Sequence, residues 1–368
     1  MKKAWLAAFV LVVAGCGEPG RSRGPSHGGV GGGGMDEQPD LLPPDPNADY
    51  DHDGYSIAQG DCNDWSSLVN PGALEVAGNG VDDNCDGQID EVVPPCSNLI
   101  GKLDGTSLAG AMEQCDPRFV TSSSFKGPSV AQARNIVGSF GVIQPQSGDS
   151  MVLLSTGKAV DKKGVGYVQP QIGTDLGESN TFANPEPNLP AAPMCGMAQP
   201  TEVNDYTEWV VHLRAPTNAY SFSFQFQFFS AEYPEFVCTE FNDEFLVEME
   251  SKNEFAMAKN ISFDAAKNPI TVNNGFFSVC TNSSTPQTMH CKKPVSEIAG
   301  TGYEDTNGSE PIGGSTGWLT TTAPVTPGED ITLHFIIFDE GDHIYDSAVL
   351  IDNFQWSVNA VQGPTTIQ

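Results

Sequence analysis

The sequence predicts a mainly β protein, a two-sheet sandwich or jelly roll preceded by a small disulfide-stapled acidic-loop module and a disordered tether. Three observations predict it. From Met151 onward, short runs rich in apolar, aromatic or β-branched residues recur between Gly, Pro, Asn and Asp turns, with no long helical periodicity. Between Asp49 and Glu91, acidic residues recur at ion-ligand spacing around a pair of cysteines. Before Asp49 the chain is dominated by Gly and Pro, the composition of a linker.

The N-terminus reads as an export signal, residues 1–15. Lys2 and Lys3 precede the apolar run Ala4 to Ala14, which is too short for a stable bilayer-spanning helix. Val13-Ala14-Gly15-Cys16 resembles the lipobox of bacterial lipoproteins, which implies that Cys16 is acylated as the first mature residue. By the same resemblance, Gly17 after the cysteine favours export to the outer membrane. A plain secretory signal with a chance cysteine is the alternative. Residues 16–48 follow as tether, with GGVGGGG flexible and DLLPPDPN stiffer and extended.

The module spans residues 49–93. Asp49, Asp51 and Asp53 alternate before Gly54, giving D-x-D-x-DG, the first half of a calcium loop. Asp82, Asn84 and Asp86 repeat the spacing before Gly87, and Asp90 falls at the ninth loop position. Neither loop has a twelfth-position Glu, because Gly60 and Val93 stand there. Asp61, Asp64 and Glu75 are the local candidates to complete the coordination. Hard oxygen donors throughout favour calcium. A solvated acidic linker is the competing reading, since Asp, Asn and Gly also make turns. The segment resembles the MopE-type metal-binding motif of bacterial surface proteins: Asp51 to Gly54, Asp61 to Asp64 (DCND), Asn70 to Glu75 (NPGALE), and Asp83 to Glu91. The family's label mentions copper, for which only His52 is a suitable ligand here, so calcium is preferred and copper is the lesser expectation.

Charge supports bound cations. Against 17 basic residues stand 47 acidic ones, a formal charge of -30, which argues against nucleic acid and anionic lipid headgroups as partners. No Lys or Arg lies between Arg23 and Lys102, whereas 15 Asp and Glu fall from Asp36 to Glu91. Such density repels itself unless it is neutralised. Setting Cys16 aside leaves eight of the nine cysteines, an even number in an exported chain, so four disulfides are expected. The sequence does not fix their connectivity. Neighbours are the expected pairs: Cys62 with Cys85, Cys96 with Cys115, Cys195 with Cys238, and Cys280 with Cys291.

After the punctuating Val92-Val93-Pro94-Pro95, residues 96–360 form the β domain. VAQARNIV, from Val130 to Val137, reads as a short helix by its spacing. Strands are expected at Met151 to Leu154, Trp209 to Leu213, Phe222 to Phe229, Phe245 to Met249, Ile270 to Val272, Phe276 to Val279, Ile331 to Phe338 and Ala348 to Phe354. Phe222, Phe224, Phe226 and Phe228 alternate with Ser223, Gln225 and Gln227, which puts four rings on one face and polar groups on the other. VLLSTG (Val152 to Gly157), FFSAEYPEF (Phe228 to Phe236), FNDEF (Phe241 to Phe245), Asn260-Ile261 and FDEGDHIYDSAVLIDNF (Phe338 to Phe354) resemble the choice-of-anchor L domain of secreted and surface-attached bacterial proteins. That resemblance implies location more firmly than activity.

Glu232, Asn242, Asp243, Asp339, Asp342, Asp346 and Asp352 are candidate oxygen ligands of a second calcium site where loops meet at a sandwich edge. Turn-capping carboxylates are the equal alternative. Pairs such as Glu232 with Asp243, or Asp339 with Asp346, are formally glycosidase-like, but the six histidines make no HExxH, and no GxSxG or phosphate loop occurs. The sequence therefore predicts no enzyme. It predicts a lipid-anchored surface protein that binds divalent cations and a surface glycan or protein ligand, in adhesion. A jelly-roll carbohydrate hydrolase and a purely structural surface-layer component are the alternatives.

Overall fold

The computed structural model describes residues 45–127, 132–174, 176, 182–185, 195, 200–252, 255–273, 275–281, 291–307, 310–311 and 313–368. The expected signal sequence, Cys16 and nearly all of the tether lie outside the described residues. Pro43–Gln368 form one compact unit.

Two sheets pack as a sandwich. Strands of three residues or more are numbered in order: β1 Val120–Lys126, β2 Arg134–Val137, β3 Met151–Ser155, β4 Glu202–Arg214, β5 Ser221–Ser230, β6 Glu244–Ser251, β7 Phe255–Asn260, β8 Leu319–Pro324, β9 Asp330–Asp339, β10 Ser347–Ser357 and β11 Thr365–Ile367. The first sheet runs β1-β4-β9-β6-β7 and is antiparallel throughout. The second is built on the antiparallel run β5-β10-β3-β2, with β8 joined to β5, β11 joined to β8, and short two-residue ladders at its edge.

The alternation in these strands builds the core directly, because successive side chains of a strand point to opposite faces. Phe222, Phe224, Phe226 and Phe228 of β5 face Trp209, Val211 and Leu213 of β4, Phe245, Val247 and Met249 of β6, and Leu333, Phe335 and Ile337 of β9. Full burial of each ring contributes roughly 2–3 kcal/mol. The other face of β5 is polar at Ser223 and Gln225, but Gln227 is buried and donates to Ser315 Oγ. Beyond it Phe229 joins Met151, Leu153 and Leu350 in a second apolar layer, covered by Phe140, Ile143, Ile298 and Tyr303. One end of the second sheet is thus buried on both faces.

Two local expectations are corrected. Arg134–Val137 is a strand, paired with Leu154 to Met151 of β3, and no helix forms on its described residues. The apolar spacing there suits either period, and the open edge of β3 decides it. Within Phe276 to Val279 only the last residue pairs, in the Val279–Cys280 ladder. The one α-helix among the described residues, α1 (Gly105–Ala111), was not anticipated. Asp104 caps it by accepting from Ser107 N, and Leu108, Ala109 and Ala111 enter the main core.

The disulfides are Cys62–Cys85, Cys96–Cys115, Cys195–Cys238 and Cys280–Cys291, each joining neighbours in the cysteine order.

Candidate metal centre

The Asp49–Gly54 loop is folded by its own carboxylates. Asp49 Oδ1 accepts from His52 N at 2.6 Å and Oδ2 from Gly54 N at 3.0 Å, while Asp51 and Asp53 accept from the amides two residues on. Gly54 sits at φ 99°, a conformation open to glycine. Asp61 and Asp64 come to the same place from the following segment: Asp61 Oδ1 accepts from Asn63 N and Asp64 Oδ1 from Tyr50 N. Each then leaves one oxygen over. Oδ2 of Asp51, Asp61 and Asp64 are all buried without a hydrogen-bond partner, and these three carboxylates offer oxygens within 4.8 Å of one another. Asp49, Asp51 and Asp53 form an overlapping group. Burial, and then the charge of Asp53, pushes Asp51 up to about 6; burial also raises Asp53 and Asp61. Gathered anions with orphaned oxygens are the arrangement that a hard cation relieves.

The second half-loop repeats the turn but not the gathering. Asp82 accepts from Asp86 N and Gly87 N, Asn84 from Asp86 N, and Asp86 from Gln88 N, yet among the described residues no three carboxylates converge there. Asp90 accepts from the amides of Gly78, Asn79 and Gly80, and Glu75 from those of Asp83 and Asp90. Both therefore brace backbone rather than point into the first cluster. Two residues outside the expected set do more here. Asp83 accepts from Val76 N and Asn79 Nδ2; Glu91 pairs with Asn84 Nδ2 and keeps a buried, unpartnered Oε2.

The module is bonded to the sandwich through its N-P-G-A element. Asn70, fully buried, donates to Asp53 Oδ2 at 2.8 Å and accepts from Thr217 Oγ1 at 2.6 Å. Leu74 and Asn218 exchange two hydrogen bonds of 2.8 Å, Thr217 N donates to Gly72 O, and Arg118 Nη1 to Pro71 O. A Cβ at Gly72 would meet Tyr55 Oη at 2.8 Å and Thr217 Cγ2 at 3.0 Å, so any larger residue there would displace these side chains. Between module and sandwich lies a cleft of about 530 Å³, lined in part by Tyr55, Leu68, Arg118, Phe119, Arg214 and Tyr220.

A second cluster forms at one end of the sandwich, where β5 and β9 finish and β6 and β10 begin. Glu232, Asp243 and Asp339 are each 0% exposed, with carboxylate oxygens within 4.8 Å of one another. Asp243 is held by Ser347 Oγ and Glu340 N, and Glu232 Oε2 accepts from Asp243 N. No donor reaches Glu232 Oε1 or either oxygen of Asp339, whose carboxyl can bond to that of Asp243 only if one of the two carries a proton.

A family model described as Choice-of-anchor L domain matches residues 109–355, well over half of the chain. The chain belongs to the choice-of-anchor L family. A model described as "Putative metal-binding motif", labelled for MopE and copper, matches residues 61–91. That match begins at Asp61, so the Asp49–Gly54 loop precedes it, although Asp51 shares the cluster of Asp61 and Asp64. No curated protein matches the sequence. Among solved structures, the K2 cleaved adhesin domain of Lys-gingipain is similar over 64% of this chain and 88% of that one, at 10% identity and a TM-score of 0.24.

Within the choice-of-anchor L domain, the remaining candidates separate. Asn242 accepts from both nitrogens of Asn273 and so orients that loop. Asp342 accepts from Ile344 N and Asp346 from Thr174 N, both in the adjacent loops. Asp352 is elsewhere, accepting from Gln146 N and Ser147 N, which makes it a turn-capping carboxylate. Glu340, missed in the sequence, is 2% exposed beside Asp243, and burial followed by the charge of Glu244 pushes it up to about 10. Its position next to Asp339 was the available signal.

Proposed function

We propose that this choice-of-anchor L protein is an exported bacterial surface lipoprotein whose calcium-held module and β-sandwich together bind a glycan or protein ligand in adhesion. The observation that carries the metal reading is the convergence of the Asp51, Asp61 and Asp64 carboxylates, each of which has a buried, unpartnered Oδ2. All donors are oxygens, and His52 is exposed and the one imidazole in the module, which favours calcium over copper. Four disulfides and the family membership support export. The cleft beside the module, of a size that suits small ligands and with Tyr55 and Tyr220 for stacking, is the place assigned to the ligand. Binding rather than hydrolysis is favoured because Glu232, Asp243 and Asp339 are sealed from any sugar chain.

Calorimetric titration of the mature chain with calcium, copper and zinc tests the metal. Heat with calcium, lost in Asp51→Asn/Asp61→Asn, is expected; heat with copper alone contradicts it. A glycan array run beside a reducing-sugar assay should give binding without release of reducing ends, weakened in Tyr220→Ala. Detergent phase partition should carry the wild type, but not Cys16→Ser, into the detergent phase.

A further inference from the structure

The end of the sandwich poses a problem in electrostatics. Glu232, Asp243 and Asp339 put three carboxylates within 4.8 Å of one another at 0% exposure, with Glu340 beside them. None of the ion pairs among the described residues reaches them. Isolated buried charge of this kind costs several kcal/mol per ion unless it is neutralised. Protonation is one remedy: burial, and then the charge of Asp243, holds Glu232 and Asp339 well above the usual carboxylate range. It answers only part of the cluster: a protonated Asp339 can donate to Asp243, but Glu232 Oε1 is left buried without a partner.

A divalent cation answers all of these oxygens at once. The positions are fixed by strand ends rather than by a floppy loop. Asp339 closes β9 just past a register shift against β4, Asp243 immediately precedes β6, and Glu232 follows β5, tied to it through Ser230 Oγ and Glu232 N. Asp243 spends two hydrogen bonds on orientation, from Ser347 Oγ and Glu340 N, so its remaining lone pairs stay aimed inward. The donors are hard oxygens, which favour a hard cation over the metals that prefer thiolate and imidazole. Burial leaves little room for the water shell that magnesium keeps, which selects calcium.

We propose that Glu232, Asp243 and Asp339 hold a calcium ion buried at the end of the sandwich, clamping the Glu232–Asp243 loop to the β9–β10 loop. The ion is structural: it enters as the strands close and is not exchanged at the surface. This site is independent of the Asp51 cluster, and the two stand or fall separately.

The test refolds the full disulfide-bonded chain from denaturant, with chelator or with calcium, and counts bound ions by native mass spectrometry. Asp339→Asn should bind one calcium fewer than the wild type, and Asp51→Asn/Asp61→Asn should keep that ion. In the latter variant calcium should raise the melting temperature by about 5 °C over the chelated form. Equal calcium counts in wild type and Asp339→Asn overturn the site. Should Asp339→Asn not fold, the Asp51→Asn/Asp61→Asn protein decides alone: no bound calcium and no thermal shift overturn it. Failure of the module reading looks different, with the double variant binding as many ions as the wild type. Magnesium in place of calcium should leave the melting temperature unchanged.

Discussion

Two sets of buried acids sit in the same sheet and meet opposite fates. Glu208 of β4, 2% exposed, receives Lys126 Nζ at 2.9 Å on Oε1 and Tyr206 Oη at 2.7 Å on Oε2, and His334 Nδ1 lies 2.7 Å from Oε1. Burial alone would raise its carboxyl, but His334, Lys126 and Tyr206 hold it down at about 2. Asp339, at the end of the neighbouring β9, is as deeply buried, and the charges that act on it most are those of Asp243, Glu232 and Asp342. The difference teaches that a chain with 17 basic and 47 acidic residues cannot answer every buried acid from its own side chains. It answers Glu208 with Lys126 and His334, whereas among the described residues no ion pair reaches the sandwich end or the Asp51 cluster.

The largest effect that sharpens this contrast is Glu208→Gln, which leaves three donors facing a neutral amide. It should cost about 3 kcal/mol in denaturant unfolding. Asp339→Asn in chelator should cost little, because without an ion burial keeps that carboxyl protonated and the amide replaces one neutral group by another; equal losses in the two variants would break the comparison.

Acid then reads the same difference with sign. Because Glu208 is depressed to about 2 from its ordinary 4.5, its contribution is present above pH 4.5 and lost as the pH falls towards 2. The stability gap between wild type and Glu208→Gln should therefore close over that range. Asp352 runs the other way. Burial raises it to about 6 against the amide bonds of Gln146, Asn353 and Ser147, so its contribution is fully present below pH 4 and lost as the pH rises through 6. Measured against Asp352→Asn, the wild type should lose about 1–3 kcal/mol between pH 4 and 6.

The smallest effect belongs to Lys126→Met. With its side chain 59% exposed, Lys126 is screened by water, and its loss should cost no more than about 1 kcal/mol in unfolding experiments.

The parts of the fold legible in the sequence were those in which a residue's neighbours in the chain decide its environment. Phe222, Phe224, Phe226 and Phe228 declare a face by alternation alone, and D-x-D-x-DG declares a turn because each carboxylate caps an amide two or five residues away. Val120–Lys126 was missed because VTSSSFK is a polar strand at the sheet edge, held by pairing with β4. Leu319–Pro324 was missed although its three threonines are β-branched, a usable signal. Arg134–Val137 was misread because a four-residue run fits either period until β3 is there to pair with it.

The site divides in the same way. Asp51, Asp61 and Asp64 lie close in sequence and could be named together, whereas the docking of Asn70 on Thr217 and the meeting of Glu232 with Asp339 depend on strand ends remote in the chain. Six acids and Asn242 were equally good candidates for the second site. Topology alone separates the three that converge from Asp352, which caps a turn.

The central claim is that the two groups of orphaned buried oxygens are calcium sites. Long-wavelength anomalous diffraction from crystals of the mature chain grown in calcium tests it most directly. The account predicts one calcium peak bounded by Asp51, Asp61 and Asp64 and another bounded by Glu232, Asp243 and Asp339. Density at both places explained by water or by carboxyls sharing protons, with no anomalous signal, would contradict it.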